Sequence, residues 1–491
     1  MSFDKLRLFA AAMSMNFMVT FIFYEVLMSA LFIVPDYGGS YNTVIYPMCF
    51  YAMGNVMAIP LGNKFPPKKI LLTSACALVA STLLLFSATN YQFFNAFRVV
   101  QGFCTGALFV AVPNLLSEFL EHFERRIYIR NFTVTYLLAT TAGGTVGGAI
   151  AYGYRWWWMV FFDLLFLIPV CFWFLWEMRH HEAKFPVKKL DYLGYFLYCI
   201  NVSIIITFLT MGQELDWFRS HFLDTIFYLF LITFPYFILH EWGHPHPILN
   251  FSLFKRKSFG YAVLLTAFLF SSYNAAISLL SLWLHVYINY SADYVMVLWG
   301  IALVTSIMVS FFICKKERQH RISFLWIAII LLVGGCFFAM NFSAHVNFAR
   351  IAIAHVIFGF ALPLFIPPLM HRMLDFVDRE EILDGIAIFQ LSRIFFTGLG
   401  LAVYTAVWQR RGYFYHSRLG GELTSFSIKT REFLHQLKLF YLSTGQQNAE
   451  MAVALDEQSK ALAINDTFFL IGVVMLFVML SIPFYNRWRT T

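Results

Sequence analysis

The sequence predicts an all-α polytopic membrane protein, and three observations support this fold class. Hydrophobic residues make up 60% of the 491 residues and charged residues only 13%, with a mean hydropathy of +0.67, which is far outside the range of soluble proteins. Apolar runs of about 20 residues, enough for a helix to cross a hydrocarbon core, recur along nearly the whole chain. Their apolarity is continuous rather than alternating, which indicates helices and not a barrel.

Fourteen of these runs are predicted to be transmembrane helices. They lie at about 8–34, 43–61, 69–88, 92–117, 127–152, 156–176, 190–210, 221–241, 259–288, 293–313, 322–342, 348–371, 383–408 and 465–486. An even number of crossings places both ends of the chain on the same side of the membrane.

The distribution of Lys and Arg predicts which side that is. Basic residues cluster in alternate connections, such as 64–69, 125–130 and 315–321, whereas the short loops between these clusters hold only isolated arginines. Because basic residues stay on the cytoplasmic side, both termini are expected to be cytoplasmic. The formal net charge of +8 is therefore a topology signal, and no nucleic-acid partner is expected.

One connection, residues 409–464, is much longer than the others. It contains few helix breakers, and Phe433, Leu437 and Phe440 recur at helical spacing. We expect a helical hairpin outside the membrane that turns near Gly445. Two roles remain open for it: it packs over the outer mouth of the protein, or it provides a docking surface for another protein.

The stretch HEWGH, from His240 to His244, matches the H-E-x-x-H signature of zinc proteases. Gly243 and Pro245 are expected to end the helix within the motif, so that the two imidazoles diverge. A third ligand is also missing, because Asp163 is predicted to lie towards the opposite face of the membrane. We therefore predict no metal and no cofactor at this motif, and an intramembrane metalloprotease is only a distant alternative.

Ionisable residues within predicted helices are stronger indicators of function, because burying a charge in a bilayer is costly. Glu25 and Arg98 have similar predicted depths, which allows them to pair. Asp163 shares that layer, and Arg393 lies near the middle of its helix. We predict proton coupling by Glu25 and Arg98, with Asp163 and Arg393 as polar groups of a cavity. Static ion pairs or water-facing side chains are the alternative.

Several stretches resemble a known family. RVVQGFCTGALFVAVP, which begins at Arg98, resembles the fourth-helix R-x-x-Q-G-x-G-x-G motif of the major facilitator superfamily. FYEVLMSALFIVP resembles the first helix of its fourteen-helix drug:proton antiporters of the EmrB/QacA type, and this places Glu25 at their acidic position. The resemblance covers nearly the whole chain.

The fifth helix, AGGTVGGAIAYGYRW, is similar to the antiporter motif of that family. Its glycines are spaced for close helix contact, which is expected across the interface between two halves of the protein. Arg155 and Trp156 match the outer motif that follows. The antiporter glycines are Gly143, Gly144, Gly147 and Gly148.

The loop after the second helix departs from the family, because Asn63 and Pro66 replace the Asp and Gly of its inner gate.

The resemblance implies a major facilitator fold with two six-helix halves, at 1–176 and 259–491, and two inserted helices at 190–241. It also implies a transporter, not an enzyme: a proton-coupled exporter of amphipathic small molecules or drugs by alternating access across a bacterial inner membrane. Export of a siderophore or another endogenous metabolite is the alternative. Implied partners are substrate, protons, membrane lipid, a periplasmic adaptor protein and an outer-membrane channel.

Overall fold

The structure is a computed structural model, and it describes most of the chain as helix. The described residues are 3–38, 43, 45–119, 122–179, 189–286, 292–314, 322–343, 345–375, 377, 381–423, 427–439 and 443–488. Among these residues there is no β-strand, which confirms the predicted fold class.

Fifteen α-helices are described. They are α1 Phe3–Asp36, α2 Tyr46–Ala58, α3 Pro67–Leu84, α4 Tyr91–Phe119, α5 His122–Gly153, α6 Trp157–Arg179, α7 Tyr192–Met211, α8 His221–Gly243, α9 Lys257–Val286, α10 Ala292–Cys314, α11 Ile322–Ala339, α12 Phe348–Asp375, α13 Ile382–Glu422, α14 Ile428–Leu439 and α15 Thr444–Trp488. A 3₁₀-helix, Ile59–Asn63, continues α2.

The helices form two bundles with a smaller pair beside them. In the N-terminal bundle α1 packs on α5, and α4 packs on α2 and α3. In the C-terminal bundle α13 packs on α9 and α15, and α12 packs on α10 and α11. The two bundles meet where α5 contacts α10 and where α2 contacts α13, while α7 and α8 pair with each other beside α2. The domain boundaries at 176, 190–241 and 259 stay predictions.

Twelve of the described helices are long and apolar enough to cross a membrane. Many large apolar side chains on their outer surfaces are exposed, among them Ile232 and Leu239 of α8 and Phe311 of α10. Such surfaces are suited to lipid, so the chain is a multi-pass membrane protein. Helices α2 and α5 are not among the twelve, and the count of fourteen spans stays a prediction.

Several ion pairs and hydrogen bonds identify the face at which α1 begins, which we call the N-terminal face. Arg7 in the first turns of α1 pairs with Glu177 near the end of α6 at 2.6 Å. Arg256, just before α9, pairs with Glu381, just before α13, at 3.2 Å. Lys64, which follows the 3₁₀-helix, donates to the carbonyl oxygen of Pro247 at 2.6 Å. The connection after α8 therefore also lies at this face.

The long connection 409–464 differs from the expected separate hairpin. Helix α13 continues to Glu422 and α15 already begins at Thr444, so two predicted membrane helices run on without a break beyond their predicted ends. The chain does reverse between α14 and α15, next to the predicted turn. The physical reason for the difference is that this segment has no helix breaker where the apolar runs end, and helices continue across a change of polarity.

Candidate functional site

Three ionisable side chains from three helices of the N-terminal bundle meet in a buried cluster. Glu25 comes from α1, Arg98 from α4 and Asp163 from α6, and none of them exposes more than 1% of its surface. The carboxyl groups of Glu25 and Asp163 are within hydrogen-bonding reach of each other, and both lie within electrostatic range of Arg98. The three residues that depth alone assigned to one layer are thus neighbours.

Glu25 interacts electrostatically with both Asp163 and Arg98, and the role of Glu25 and Arg98 in proton coupling stays a prediction. Both carboxyl oxygens of Glu25 and Oδ1 of Asp163 are buried without a hydrogen-bond donor. Two carboxylates cannot donate to each other, and two adjacent negative charges in a low-dielectric site repel strongly. A single proton shared by the pair would supply the missing donor and remove one of the charges.

Arg98 is oriented by polar groups rather than by a direct ion pair. Its Nη1 donates to Oε1 of Gln101, and Nε2 of Gln101 donates to the Thr82 hydroxyl at 2.9 Å. The guanidinium also stacks over the Tyr51 ring, 4.8 Å from its centroid. Its Nε and Nη2 remain buried without an acceptor, so these donors are available to a carboxylate that moves towards them.

Close packing of α4 against α2 fixes Arg98 in this position. A Cβ atom at Gly102 would collide with the carbonyl oxygen of Tyr51, and one at Gly106 would collide with that of Asn55. Only glycine lets the two backbones touch at these points. The glycines of the motif that begins at Arg98 therefore set the distance between Arg98 and the Tyr51 ring.

The glycines of α5 leave room for the Glu25 side chain between α5 and α1. A Cβ at Gly147 would lie 2.6 Å from Cγ of Glu25, and one at Gly143 would lie 2.6 Å from the carbonyl oxygen of Phe21 on the same helix. These two glycines thus pack against α1 within the N-terminal bundle. Of the three motif glycines whose surroundings are described, only Gly144 faces the other bundle, where a Cβ would lie 2.6 Å from the Trp299 ring of α10.

This arrangement corrects the expectation that the whole glycine motif lies between the two halves. The spacing of the glycines predicted close approach but could not say which helix is approached. Gly148 is buried. In the outer motif, Arg155 is exposed, whereas Trp156 packs against the rings of Tyr37 and Phe94 at centroid distances of 5.7 and 5.4 Å.

Arg393 lies in a separate place, where α13 meets the N-terminal bundle. Its guanidinium is held between the rings of Phe109 and Tyr136, 4.4 and 4.3 Å from their centroids. Its Nε is buried without an acceptor, and no ion pair to Arg393 is present among the described residues. Arg393 is thus a buried guanidinium that lies between two aromatic faces.

Arg393 borders a small cavity between the two bundles. The cavity volume is about 10 Å³, space for roughly one water molecule. Asp163 does not line it, so of the two predicted cavity groups only Arg393 is there. The lining residues come from α1, α2, α4 and α13: Val19, Thr20, Phe23, Tyr24, Asn55, Phe109, Arg393, Ile394 and Thr397.

Helix α1 connects the carboxyl pair to this cavity. Tyr24 precedes Glu25 in the chain, and its hydroxyl group hydrogen-bonds that of Tyr136 at 2.8 Å. Tyr136 in turn forms one of the two rings that hold Arg393. A shift of α1 at Glu25 therefore also displaces a group that lines the cavity.

The HEWGH motif has a geometry that differs from the expected one. Helix α8 does end at Gly243 within the motif, but the rings of His240 and His244 stack at a centroid distance of 5.2 Å. Both face one carboxylate oxygen, Oδ2 of Asp191: Nε2 of His240 lies 2.6 Å from it and Nδ1 of His244 lies 3.6 Å from it. The prediction that the two imidazoles diverge is wrong.

Asp191 was missed by the sequence reasoning, although an Asp just before an apolar run is a helix N-cap signal. It caps α7 by accepting the Gly194 N–H at 3.1 Å through Oδ1, which leaves Oδ2 for the imidazoles. Burial acts to raise the pKa of Asp191, but the Gly194 N–H and the contact with His240 outweigh it and hold this pKa below its usual range. The carboxylate is therefore ionised at neutral pH.

The altered inner-gate loop lies at the N-terminal face. The side chain of Asn63 is outside the described part of the chain, and Pro66 precedes α3 as its N-cap residue. Lys64 between them is buried and reaches the connection after α8. The loop is thus tied to the connection that follows the inserted helices.

Comparison with known proteins agrees with this architecture. Residues 8–401 match the sequence profile of the Major Facilitator Superfamily. The chain is 24% identical over 438 residues to the fatty acid resistance protein FarB of Neisseria gonorrhoeae, covering 88% of this chain and 86% of the relative. It is 23% identical over 465 residues to the multidrug export protein EmrB of Escherichia coli K12, covering 93% and 90%.

The fold is also similar to solved structures. The crystal structure of the human organic anion transporter MFSD10 superposes with a TM-score of 0.60 and covers 96% of this chain and 99% of that protein, at 10% sequence identity. Identity this low supports the fold and nothing finer.

Proposed function

Because the chain belongs to the major facilitator superfamily, whose members are transporters and not enzymes, we propose that it is a proton-coupled exporter of amphipathic small molecules with an acidic group. It would act by alternating access in a bacterial inner membrane, with both termini cytoplasmic. Membership of this family sets aside the intramembrane protease. The buried pair of Glu25 and Asp163 is the observation that carries the proposal.

The carboxyl pair is suited to bind and release one proton per cycle. With one proton the pair is singly charged and Arg98 balances that charge; without it the pair carries two charges that a single guanidinium cannot neutralise. Loss of the proton therefore favours a conformation in which one carboxylate reaches the free donors of Arg98 or water. A proton-dependent change of packing follows at the contact of α1 with α5.

Coupling to substrate would run through α1. Glu25 of α1 packs directly on Gly147 of α5, with no side chain between them. A movement of the Glu25 side chain would therefore shift α1 relative to α5. Tyr24 moves with it and changes the Tyr24–Tyr136 contact beside Arg393. In the proposed cycle, proton binding and the substrate cavity share one helix, α1, which would take two arrangements.

Arg393 supports the choice of an acidic substrate. It is the cation in a cavity otherwise lined by aromatic, aliphatic and neutral polar groups, and a buried guanidinium with a free N–H favours a carboxylate or another anion. The apolar lining suits a hydrocarbon portion. The name of the relative FarB, a fatty acid resistance protein, points to the same chemistry. The cavity is too small to hold such a molecule, so the bundles must separate to admit it.

The extension formed by the end of α13, α14 and the start of α15 is proposed to bind a periplasmic adaptor protein that leads to an outer-membrane channel. It encloses a groove of about 340 Å³ lined partly by Leu419, Phe433, Met451 and Leu455. Phe433, predicted from the sequence to lie on this hairpin, lines the groove together with Leu455. Leu437 is half-buried, and Phe440 lies outside the described residues. A partner helix would insert its apolar side into the groove.

Transport by purified protein in proteoliposomes tests the proposal. A pH gradient should drive accumulation of a medium-chain fatty acid by the wild type, and substrate addition should release protons. Glu25→Gln should lose both signals, whereas Glu450→Gln, which neutralises an exposed carboxylate of α15, should keep them. Gradient-driven transport by Glu25→Gln at the wild-type rate would contradict proton coupling at this pair.

A further inference from the structure

The HEWGH motif has no part in the proposed transport cycle, yet its side chains converge with Asp191 at the N-terminal face. We propose that Asp191, His240 and His244 form a divalent-metal site, best suited to Zn²⁺, that joins the start of α7 to the end of α8. One ligand atom from each residue lies within 4.8 Å of the others. Two imidazoles and a carboxylate are a ligand set typical of zinc.

The distances around Asp191 fit such an ion. Zinc bonds of about 2.0–2.1 Å in a tetrahedron separate neighbouring ligand atoms by about 3.3 Å. The two distances from Oδ2 of Asp191, 2.6 Å to Nε2 of His240 and 3.6 Å to Nδ1 of His244, lie on either side of that value. Adjustments of less than 1 Å in three side chains would therefore complete the coordination.

Glu241 provides an independent indication that this place suits a cation. It is only 2% exposed, and its Oε1 is buried without a hydrogen-bond partner. A Cβ atom at Gly194 would collide with both this oxygen and Oδ2 of Asp191, so the two carboxylates border one small space. Oε1 of Glu241 and Oδ2 of Asp191 thus offer two oxygen ligands to a cation placed in this space.

Nδ1 of His244 faces both a hydrogen-bond donor and a carboxylate oxygen. This atom lies 3.2 Å from the backbone N–H of His246 as well as facing the Asp191 carboxylate. As an acceptor of that N–H it has no proton to donate to Asp191, and as a donor to Asp191 it cannot accept the N–H. A metal ion on Nδ1 would replace the His246 contact and turn the facing carboxylate into a favourable neighbour.

The site has a route for metal entry. His240 and His244 side chains are 19% and 29% exposed, and a cleft of about 410 Å³ opens beside them, lined among others by Glu241, His244 and Asn250. The cleft can also supply a water molecule as fourth ligand if Glu241 Oε1 does not take that position.

The role of this metal is structural. In hydrolases with this motif the glutamate acts as a base on metal-bound water, but here Oε2 of Glu241 accepts the backbone N–H groups of Ile248 at 2.7 Å and Leu249 at 3.1 Å. These bonds fix the connection after α8, which Lys64 also contacts through Pro247. A bound ion would therefore tie together α7, α8 and the altered loop that contains Lys64.

Zinc binding to full-length protein without a His-tag tests the proposal. After removal of metal with a chelator and transfer to chelator-free buffer, titration with Zn²⁺ should give one ion per chain and raise the melting temperature. Replacement by Co²⁺ should give the visible absorption of a tetrahedral site. His240→Ala and His244→Ala should each lose the one-per-chain binding and the thermal shift, and Glu241→Gln should weaken binding by about 10- to 100-fold.

His221→Ala is the matched control, because this exposed His lies at the opposite end of α8 and should leave zinc binding unchanged. Asp191→Asn keeps a side-chain oxygen that can cap α7, and His240→Ala and His244→Ala decide the outcome if that variant fails to fold. Absence of one-per-chain binding in the folded wild type, or equal binding in the two His variants, would overturn the metal site. Either result is independent of whether the protein transports acids.

Discussion

The carboxyl groups of Glu25 on α1 and Asp163 on α6 lie within hydrogen-bonding reach of each other in the core of the N-terminal bundle, with no other donor for the Glu25 oxygens. This relationship, and not a direct Glu25–Arg98 ion pair, is the centre of the proposed mechanism. In that mechanism the two carboxyl groups act as a single proton-binding unit. Removing either acid should have consequences that removing a static ion pair would not.

Asp163→Asn should lower the rate of gradient-driven transport at least about tenfold. Loss of a side chain that transfers a proton commonly lowers a rate by at least this factor. The amide keeps the shape of the side chain but leaves Glu25 without a partner that can share a proton. Substrate–substrate exchange without a gradient should continue, because it needs no proton release. Loss of exchange and gradient-driven transport together would indicate a structural role instead.

Arg98→Lys should reduce the turnover rate even though the charge is kept. Lysine cannot stack on the Tyr51 ring and donate to Gln101 in the same fixed geometry, and an ammonium ion is more strongly hydrated than a guanidinium. Transport rates measured over a range of pH should show a lower maximum and a displaced pH dependence. A rate profile identical to that of the wild type would show that only the charge of Arg98 matters.

Arg393→Gln should raise the KM for an acidic substrate by about tenfold or more, since hydrogen bonds to charged groups contribute about 1.5–3 kcal/mol. A neutral substrate of the same chain length should be affected much less. Uptake of a fatty acid and of the corresponding alcohol by the same proteoliposomes separates the two effects. Equal losses for acid and alcohol would remove the argument for an acidic substrate.

Gly147→Ala should destabilise the protein by about 1–3 kcal/mol, as overpacking does, because its Cβ would lie 2.6 Å from both Cγ and the carbonyl oxygen of Glu25. Gly300→Ala is the control, since a Cβ at that helical position meets nothing within 4 Å and alanine favours the helix. Thermal melts in detergent and transport should fall only for Gly147→Ala. Unchanged melts for this variant would show that α5 has room to move away from α1.

Replacing 422–460 by a short Gly/Ser linker should abolish export from whole cells while transport in proteoliposomes persists, if the extension binds an adaptor protein. A milder variant, Leu455→Asp, places a charge in the groove and should weaken export in cells in the same selective way. Glu450→Gln on the same helix should be neutral. Equal loss in cells and in proteoliposomes would instead indicate that the extension closes the outer mouth of the transporter.

The sequence by itself determined the class of the protein. Continuous apolar runs, the placement of basic residues and the motif that begins at Arg98 were enough to predict a helical membrane transporter of the major facilitator type. Depth along each helix also placed Glu25, Arg98 and Asp163 in one layer. These features depend on composition and on distance along a single helix, both of which can be read from a linear sequence.

The tertiary structure alone decided which side chains meet. It paired Glu25 with Asp163, turned Gly143 and Gly147 towards α1 and Gly144 towards α10, and placed His240 and His244 around Asp191. Helical periodicity gives the position of a residue along a helix, but rotation of each helix and the choice of neighbours come from packing among all of them. Contacts between residues 138 positions apart, such as Glu25 and Asp163, therefore emerge only when the bundle is assembled.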